Sequence, residues 1–271
     1  MHVRVADLTY TYPFGVQALK GVTLHIASGE SVAIVGQNGA GKTTLVKHFN
    51  ALLRPGSGSV WVGDWDTRQH TTARLARRVG YVFQNPDDQL FQSKVLAEVT
   101  FGPRNLGFET ERVEVLADMA LNMVGLDHAA GQHPYDLSPG ERKRVALAAV
   151  LAMDTPVIVL DEPTTGQDFI GVQRVGEIVE HLKAEGRTVL TITHDIDFCA
   201  EHFQRVIVMA DGAILLDGES RQVLAQEEIL AKTYVEPPQL VRLAKQLGMA
   251  GVPLTVEEFT NAHQGWLEAS K

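Results

Sequence analysis

Nine residues, Gly36-Gln37-Asn38-Gly39-Ala40-Gly41-Lys42-Thr43-Thr44, carry the chemistry that is easiest to read from this chain, because they fit the phosphate-loop pattern G-x-x-x-x-G-K-[ST]. The apolar run Ser31 to Val35 precedes them as a buried strand, and the stretch Lys42 to Leu52 follows as a helix. Strand, glycine loop and helix let backbone N–H groups wrap a phosphate, and the helix adds the positive end of its dipole. Lys42 would then meet the β- and γ-phosphates of a nucleotide, and the Thr43 hydroxyl a magnesium ion.

Two further strands end in groups that suit the same chemistry. Val157-Ile158-Val159-Leu160 runs into Asp161-Glu162. Parallel sheets bind ligands outside the carboxyl ends of their strands, so both carboxylates would project to the edge that holds the phosphate loop. There Asp161 can hold the magnesium shell through water, and Glu162 can polarise a water toward the γ-phosphate. Thr191-Ile192-Thr193 ends in His194, whose imidazole could bridge the γ-phosphate and that water. Gln84 closes Val79 to Phe83, and its amide carbonyl could join the magnesium shell.

The elements that must position these groups follow from patterning. Strand-like pieces at Val3 to Tyr12, Val22 to Ala27 and Ser59 to Val62 suggest a small antiparallel layer beside the nucleotide. From about Phe91 to Gly131 strand patterning gives way to helix, with Val113, Leu116, Ala120 and Val124 at helical spacing. After Ser138 the rhythm is helix, strand Val157 to Leu160, helix, strand Thr188 to Thr193, helix and strand Arg205 to Ala210, as in a parallel sheet. Beyond about Glu219 a helical tail is broken at Pro237-Pro238 and at Gly251-Val252-Pro253, and Thr255 with Glu258 spells a capping box. Leu240, Leu243 and Leu247 form a stripe at helical spacing, suited either to pairing with a second chain or to packing on its own domain.

Composition narrows the setting. With 271 residues and 45% hydrophobic content the chain can bury a substantial core, and its net charge of −9 argues against a clamp on duplex DNA. The single cysteine, Cys199, excludes an internal disulfide and reads as a buried thiol. No apolar stretch approaches the length of a membrane span, and Met1 to Val5 carries no signal-peptide core. We therefore expect a soluble intracellular protein whose membrane role, if it has one, comes through a partner.

In this order, the phosphate loop, Gln84, Leu137-Ser138-Pro139-Gly140-Glu141, Asp161-Glu162, Asp168 and His194 resemble the ATP-binding cassette proteins, over nearly everything from Val3 to Gly218. The resemblance implies an α/β fold, the P-loop NTPase cassette with a parallel core sheet, an antiparallel β subdomain and a helical signature subdomain. It places the cassette at residues 1–218, the helical subdomain at about 91–153, and a C-terminal helical extension at 219–271 that is a candidate for dimerisation. It implies ATP with Mg2+, and Tyr12 looks like the aromatic that stacks on adenine. Two cassettes would bind head to tail, each ATP lying between one subunit's phosphate loop and the other's signature, with Ser138 and Gly140 reaching the γ-phosphate. Ser138 can cap a helix that starts at Pro139, with Glu141 closing a capping box, so a positive helix end faces that phosphate.

Phe83-Gln84-Asn85-Pro86-Asp87-Asp88-Gln89-Leu90-Phe91 and Phe101-Gly102-Pro103-Arg104-Asn105-Leu106-Gly107 look more specifically like the ATPase subunits of energy-coupling factor transporters. That group drives uptake of vitamins and of cobalt or nickel ions. It implies as partners a second cassette, a transmembrane scaffold subunit and a substrate-binding membrane subunit, with this chain on the cytoplasmic face of the membrane and no nucleic acid bound. Asp87 and Asp88 become candidates for receiving basic side chains of the scaffold. The alternatives are the ATPase of another transporter, or a soluble cassette acting on nucleic acid or ribosomes. Cassettes of the soluble kind carry a long coiled-coil insertion or two cassettes in one chain, and this chain shows neither.

Two departures stand out against the usual Leu-Ser-Gly-Gly-Gln signature. Pro139 removes a backbone N–H and Glu141 adds a negative charge near a phosphate. The altered signature favours a heterodimer over a homodimer. Gln167 stands where the family commonly has leucine, which bears on local interface packing.

Overall fold

Strands buried on one face and strands buried on both build two packed sheets. In the computed structural model, which describes residues 1–269, ten strands fall among the described residues into two sheets. The first is antiparallel in the order β2-β1-β4-β5, from β1 (Val3–Thr11), β2 (Gln17–Ile26), β4 (Ser57–Val62) and β5 (Trp65–Asp66). The second runs β10-β9-β3-β8-β7-β6, from β3 (Ser31–Val35), β6 (Val79–Val82), β7 (Val157–Asp161), β8 (Thr188–Ile192), β9 (Arg205–Ala210) and β10 (Ala213–Glu219). Its strands β6 to β9 and β3 pair in parallel, and β10 returns antiparallel on β9.

The large sheet is buried on both faces. Val32, Ile34, Val157 and Val159 face the antiparallel layer together with Phe49, whereas Ala33, Val35, Ile158 and Leu160 face the helices. Two apolar faces explain why these strands read as unbroken aliphatic runs rather than as alternating ones. Each fully buried aliphatic of this kind contributes roughly 1.5–3 kcal/mol.

The helices are α1 (Lys42–Val46), α2 (Thr72–Leu75), α3 (Val95–Asn105), α4 (Thr110–Val124), α5 (Pro139–Leu151), α6 (Phe169–Ala184) and α7 (Ile196–His202), followed by the tail helices α8 (Ser220–Leu224), α9 (Glu227–Lys232), α10 (Gln239–Gln246) and α11 (Val256–Ala269). Helices α3, α4 and α5 pack on one another through Val95, Val99, Ala117, Leu121, Val145 and Ala148.

Two expectations need correction, and the tail stripe gains detail. The helix after the phosphate loop is regular only to Val46, not to Leu52. His48 Nδ1 donates to the Thr44 carbonyl at 2.7 Å, taking the acceptor that the next helical N–H would use, and the chain tightens into turns bonded to Leu45 and Val46. In the tail stripe, α10 buries Val241 and Ala244, Leu240 is half-buried, and Leu243 and Leu247 remain 41% and 38% exposed. Finally, the capping box of α11 is half formed. Thr255 accepts from the Glu258 N–H, but the Glu258 carboxylate turns to the Leu254 N–H and to Arg221.

Candidate functional site

Register along the parallel sheet brings the chemical groups to one edge. Ile34 lies opposite Ile192, Ile192 opposite Asp161, and Leu160 opposite Val82, so the loops after β3, β8, β7 and β6 leave from the same end. Gly36, the other phosphate-loop residues to Thr44, Gln84, Glu162 and His194 consequently line two adjoining clefts there. The cleft over the phosphate loop measures about 470 Å³ and includes Tyr12, Lys20, Asp211 and Gly212.

The loop conformation requires glycine. At Gly36, φ is +142° and a Cβ would stand 2.1 Å from the Met209 carbonyl; at Gly41, φ is +99° and a Cβ would meet the Ala18 carbonyl at 2.6 Å. Inside this cradle Lys42 Nζ donates to the carbonyls of Gly36 and Gln37 at 2.6 and 3.0 Å. Burial lowers the pKa of Lys42, and the nearby Glu162 and Asp161 charges work in the opposite direction. An ammonium so desolvated is primed to exchange two carbonyls for an anionic phosphate.

The Thr43 hydroxyl donates to Asp161 Oδ1 at 3.4 Å. The other carboxylate oxygen accepts from the Tyr81 hydroxyl at 2.6 Å. Tyr81 went unread in the sequence, although a tyrosine inside the buried strand Val79–Val82 demands a partner for its hydroxyl, and that demand was the available signal. Burial, then the Asp161 charge, pushes its pKa up, so Tyr81 stays a donor. A hydroxyl and a carboxylate, with Gln84 beside them, suit Mg2+, which takes few protein ligands and completes its shell with phosphate and water. Among the described residues no group of three or more His, Cys, Asp and Glu side chains forms a dedicated metal cage.

Glu162 sits at φ +52°, a left-handed conformation that costs a non-glycine residue of order 1–3 kcal/mol. The surroundings over-determine it. Its N–H donates to the Ile192 carbonyl at 2.7 Å, its own carbonyl accepts from Lys143 Nζ, and its carboxylate accepts from His194 Nδ1 at 2.8 Å and the His194 N–H at 3.3 Å. Tyr12 stands at the mouth, its hydroxyl 3.0 Å from the Thr44 hydroxyl. The tail flanks the His194 side through Tyr234, Glu236 and Arg242, and the Gln239 N–H donates to Asp197 at 2.9 Å.

Ser138 and Gly140 are not brought to this cleft. They open α5 with an exposed N-terminus, where Ser138 caps the helix and both halves of its capping box are made. Asp87 lies 3.8 Å from Arg142 of the same helix. Cys199 is buried, and its burial raises the thiol pKa.

A sheet edge that gathers a phosphate loop, two carboxylates and a histidine, with a separate exposed capped helix, defines a nucleotide-binding cassette. The chain belongs to the ABC transporter family, whose model matches residues 19–165. It is 40% identical over 247 residues, 90% of this chain and 88% of the other, to the energy-coupling factor transporter ATP-binding protein EcfA of Methanocaldococcus jannaschii. Among solved structures it superimposes with a TM-score of 0.75 and 36% identity on cbiO1 of Clostridium perfringens, part of the ABC transporter complex cbiONQ, covering 91% of this chain and 98% of that one. It superimposes with a TM-score of 0.73 and 29% identity on a dimeric ATP-binding cassette in a post-hydrolysis state bound to ADP and Pi, covering 81% and 99%. The chain spans 41% and 45% of the length of two longer ABC transporter ATP-binding proteins, from Methanosarcina acetivorans and Caldanaerobacter subterraneus, to which it is 42% identical.

Tyr81→Phe tests the support under Asp161. Removing one donor from a buried carboxylate costs about 1–3 kcal/mol, so on the function proposed below we expect ATP hydrolysis to fall about tenfold and its magnesium requirement to rise, with nucleotide affinity retained. Unchanged turnover across a magnesium titration would contradict that role.

Proposed function

We propose that this chain is the ATP-hydrolysing subunit of an energy-coupling factor type transporter, paired with a second cassette and docked peripherally under membrane subunits that choose the cargo. The observation that carries it is the separation of Ser138 and Gly140 from a phosphate-loop cleft that already gathers Lys42, Gln84, Glu162 and His194. A signature held apart from its own nucleotide has a purpose when it completes a neighbour's site. The EcfA likeness and the cbiO1 likeness support the transporter type. No helix among the described residues is long and apolar enough to cross a membrane. The exposed Leu243 and Leu247 on α10 supply an apolar face for pairing, consistent with a dimerising extension after residue 218.

In the proposed mechanism the phosphate-loop N–H groups and Lys42 bind the triphosphate, while Tyr12 packs on the base. Thr43, Asp161 and Gln84 would hold Mg2+, which when bound neutralises phosphate charge. Glu162 takes the proton of the attacking water, and His194 keeps that carboxylate aimed from the adjacent strand.

Glu162→Gln should therefore retain ATP and accumulate as a dimer, whereas Lys42→Ala should weaken nucleotide binding itself. Steady-state hydrolysis with light scattering in ATP reads both, and wild-type turnover in Glu162→Gln would end the assignment.

The altered signature favours two unlike sites. Ser138 Oγ donates to the Glu141 carboxylate at 2.7 Å, and the Ser138 N–H does so at 2.9 Å. These bonds hold the Glu141 pKa below the usual carboxylate value, so the charge persists at neutral pH and the contact is lost only as pH falls through that lowered pKa. A partner's γ-phosphate would compete with Glu141 for the same hydroxyl. The site facing Pro139 then turns over slowly, which favours a heterodimer whose other signature is intact. Restoring Pro139→Gly with Glu141→Gln should raise hydrolysis by the assembled transporter about tenfold, the scale of one charge-assisted hydrogen bond. Lowered or unchanged activity, with a fully active native homodimer, would remove the asymmetry.

A further inference from the structure

Lys143, one turn into α5, is a lysine where the packing offers no reason for one. Its side chain is 5% exposed, and among the described residues no carboxylate lies within 4.0 Å of Nζ. Burying an ammonium is expensive, and a methionine would fill the same space more cheaply. What the ammonium has is two backbone carbonyls, that of Glu162 and that of Thr165 at 3.1 Å. Burial lowers its pKa, and the Glu162 and Asp161 charges oppose that shift.

Two other contacts tie the same pair of segments. Gln167 Nε2 donates to the Gly140 carbonyl at 3.1 Å, and Arg144 Nη1 donates to Gln167 Oε1 at 3.2 Å. The backbones also approach closely enough that a Cβ on Gly140 would stand 3.2 Å from the Gly166 carbonyl. The leucine common in the family at position 167 could make neither of these bonds. The first turns of α5 and the segment from Glu162 to Gln167 are thereby stitched together at three side chains.

We propose that Lys143 is a positioning residue for Glu162, fixing the left-handed backbone from which the carboxylate projects, and that with Gln167 it makes the signature helix and the loop after β7 move as one body. On the function proposed above, which this rests on, α5 serves the partner's nucleotide while Glu162 serves the chain's own. A displacement of α5 by the partner's phosphate would then reach Glu162 through one ammonium. Lys143 touches no reacting atom, so its effect falls on the rate of the bound complex and not on the affinity for ATP.

The experiment compares Lys143→Met and Lys143→Gln with wild type in the full-length chain purified with its partner subunits, measuring kcat, KM for ATP, affinity for a fluorescent ATP analogue and Tm. Wild-type hydrolysis in that preparation separates the two proposals, since its absence would strike the ATPase function before Lys143 is tested. We expect Lys143→Met to lower kcat about tenfold or more, the scale set by misplacing a catalytic group, with KM and analogue affinity within about twofold. Lys143→Gln, which keeps an N–H donor for one carbonyl, should recover a substantial part of kcat at the same KM, and this variant decides the matter if the methionine variant does not fold. A wild-type kcat in Lys143→Met, a Lys143→Gln variant no better than Lys143→Met, or loss of analogue affinity in parallel with kcat in whichever variant folds, would overturn the proposal.

Discussion

The pairing of β7 with β8, Asp161 opposite Ile192, is the contact on which the rest of the site depends. A strand's side chains alternate faces, so a slip of one residue would carry Asp161 away from Thr43 and move the Glu162 N–H off the Ile192 carbonyl. Both faces of the sheet are buried, which fixes that register more firmly than any hydrogen bond at the edge could. Ile158 and Leu160 are fitted to the helical side and Val157 and Val159 to the antiparallel side, so an exchange would misfit both packed faces at once.

Charge is distributed around this edge in a way that leaves it ready for an anion. Lys42 and Lys143 are both buried, both bonded to backbone carbonyls, and both influenced by Asp161 and Glu162. Their situations differ in access. Lys42 lines the cleft and can give up its carbonyls for phosphate, whereas Lys143 lies beneath the loop after β7 and has only structure to hold. On the proposed function, one lysine meets the ligand and the other holds the residue that acts on it.

Much of the fold and most of the site were legible in the sequence because their signals are local. Val157 to Leu160 and Ser31 to Val35 announce buried parallel strands by composition, and the glycines of the phosphate loop announce a conformation that other residues cannot adopt. The antiparallel layer and the helices around Val113 to Val124 and Pro139 to Leu151 followed from spacing and capping. What escaped depends on contacts between distant segments. Tyr81 reaches Asp161 across 80 positions, and Lys143 reaches Glu162 from another element, so neither partner could be named from spacing. The short α1 escaped because a single side chain, His48, took a carbonyl from the helix. The strand β10 was missed because its exposed, alternating half resembles a loop before it resembles an edge strand. The leucine stripe of α10 was read correctly as apolar, yet which apolar face packs was decided by Val241 and Ala244.

The central claim is that this cassette works on ATP for a membrane assembly. It is tested most directly by purifying the full-length chain from native membranes under mild detergent and identifying what accompanies it in stoichiometric amount. The account predicts a second ATP-binding cassette and a multispanning membrane subunit, held together through nucleotide addition. Recovery of the chain free of membrane subunits and bound to nucleic acid or ribosomes would contradict it.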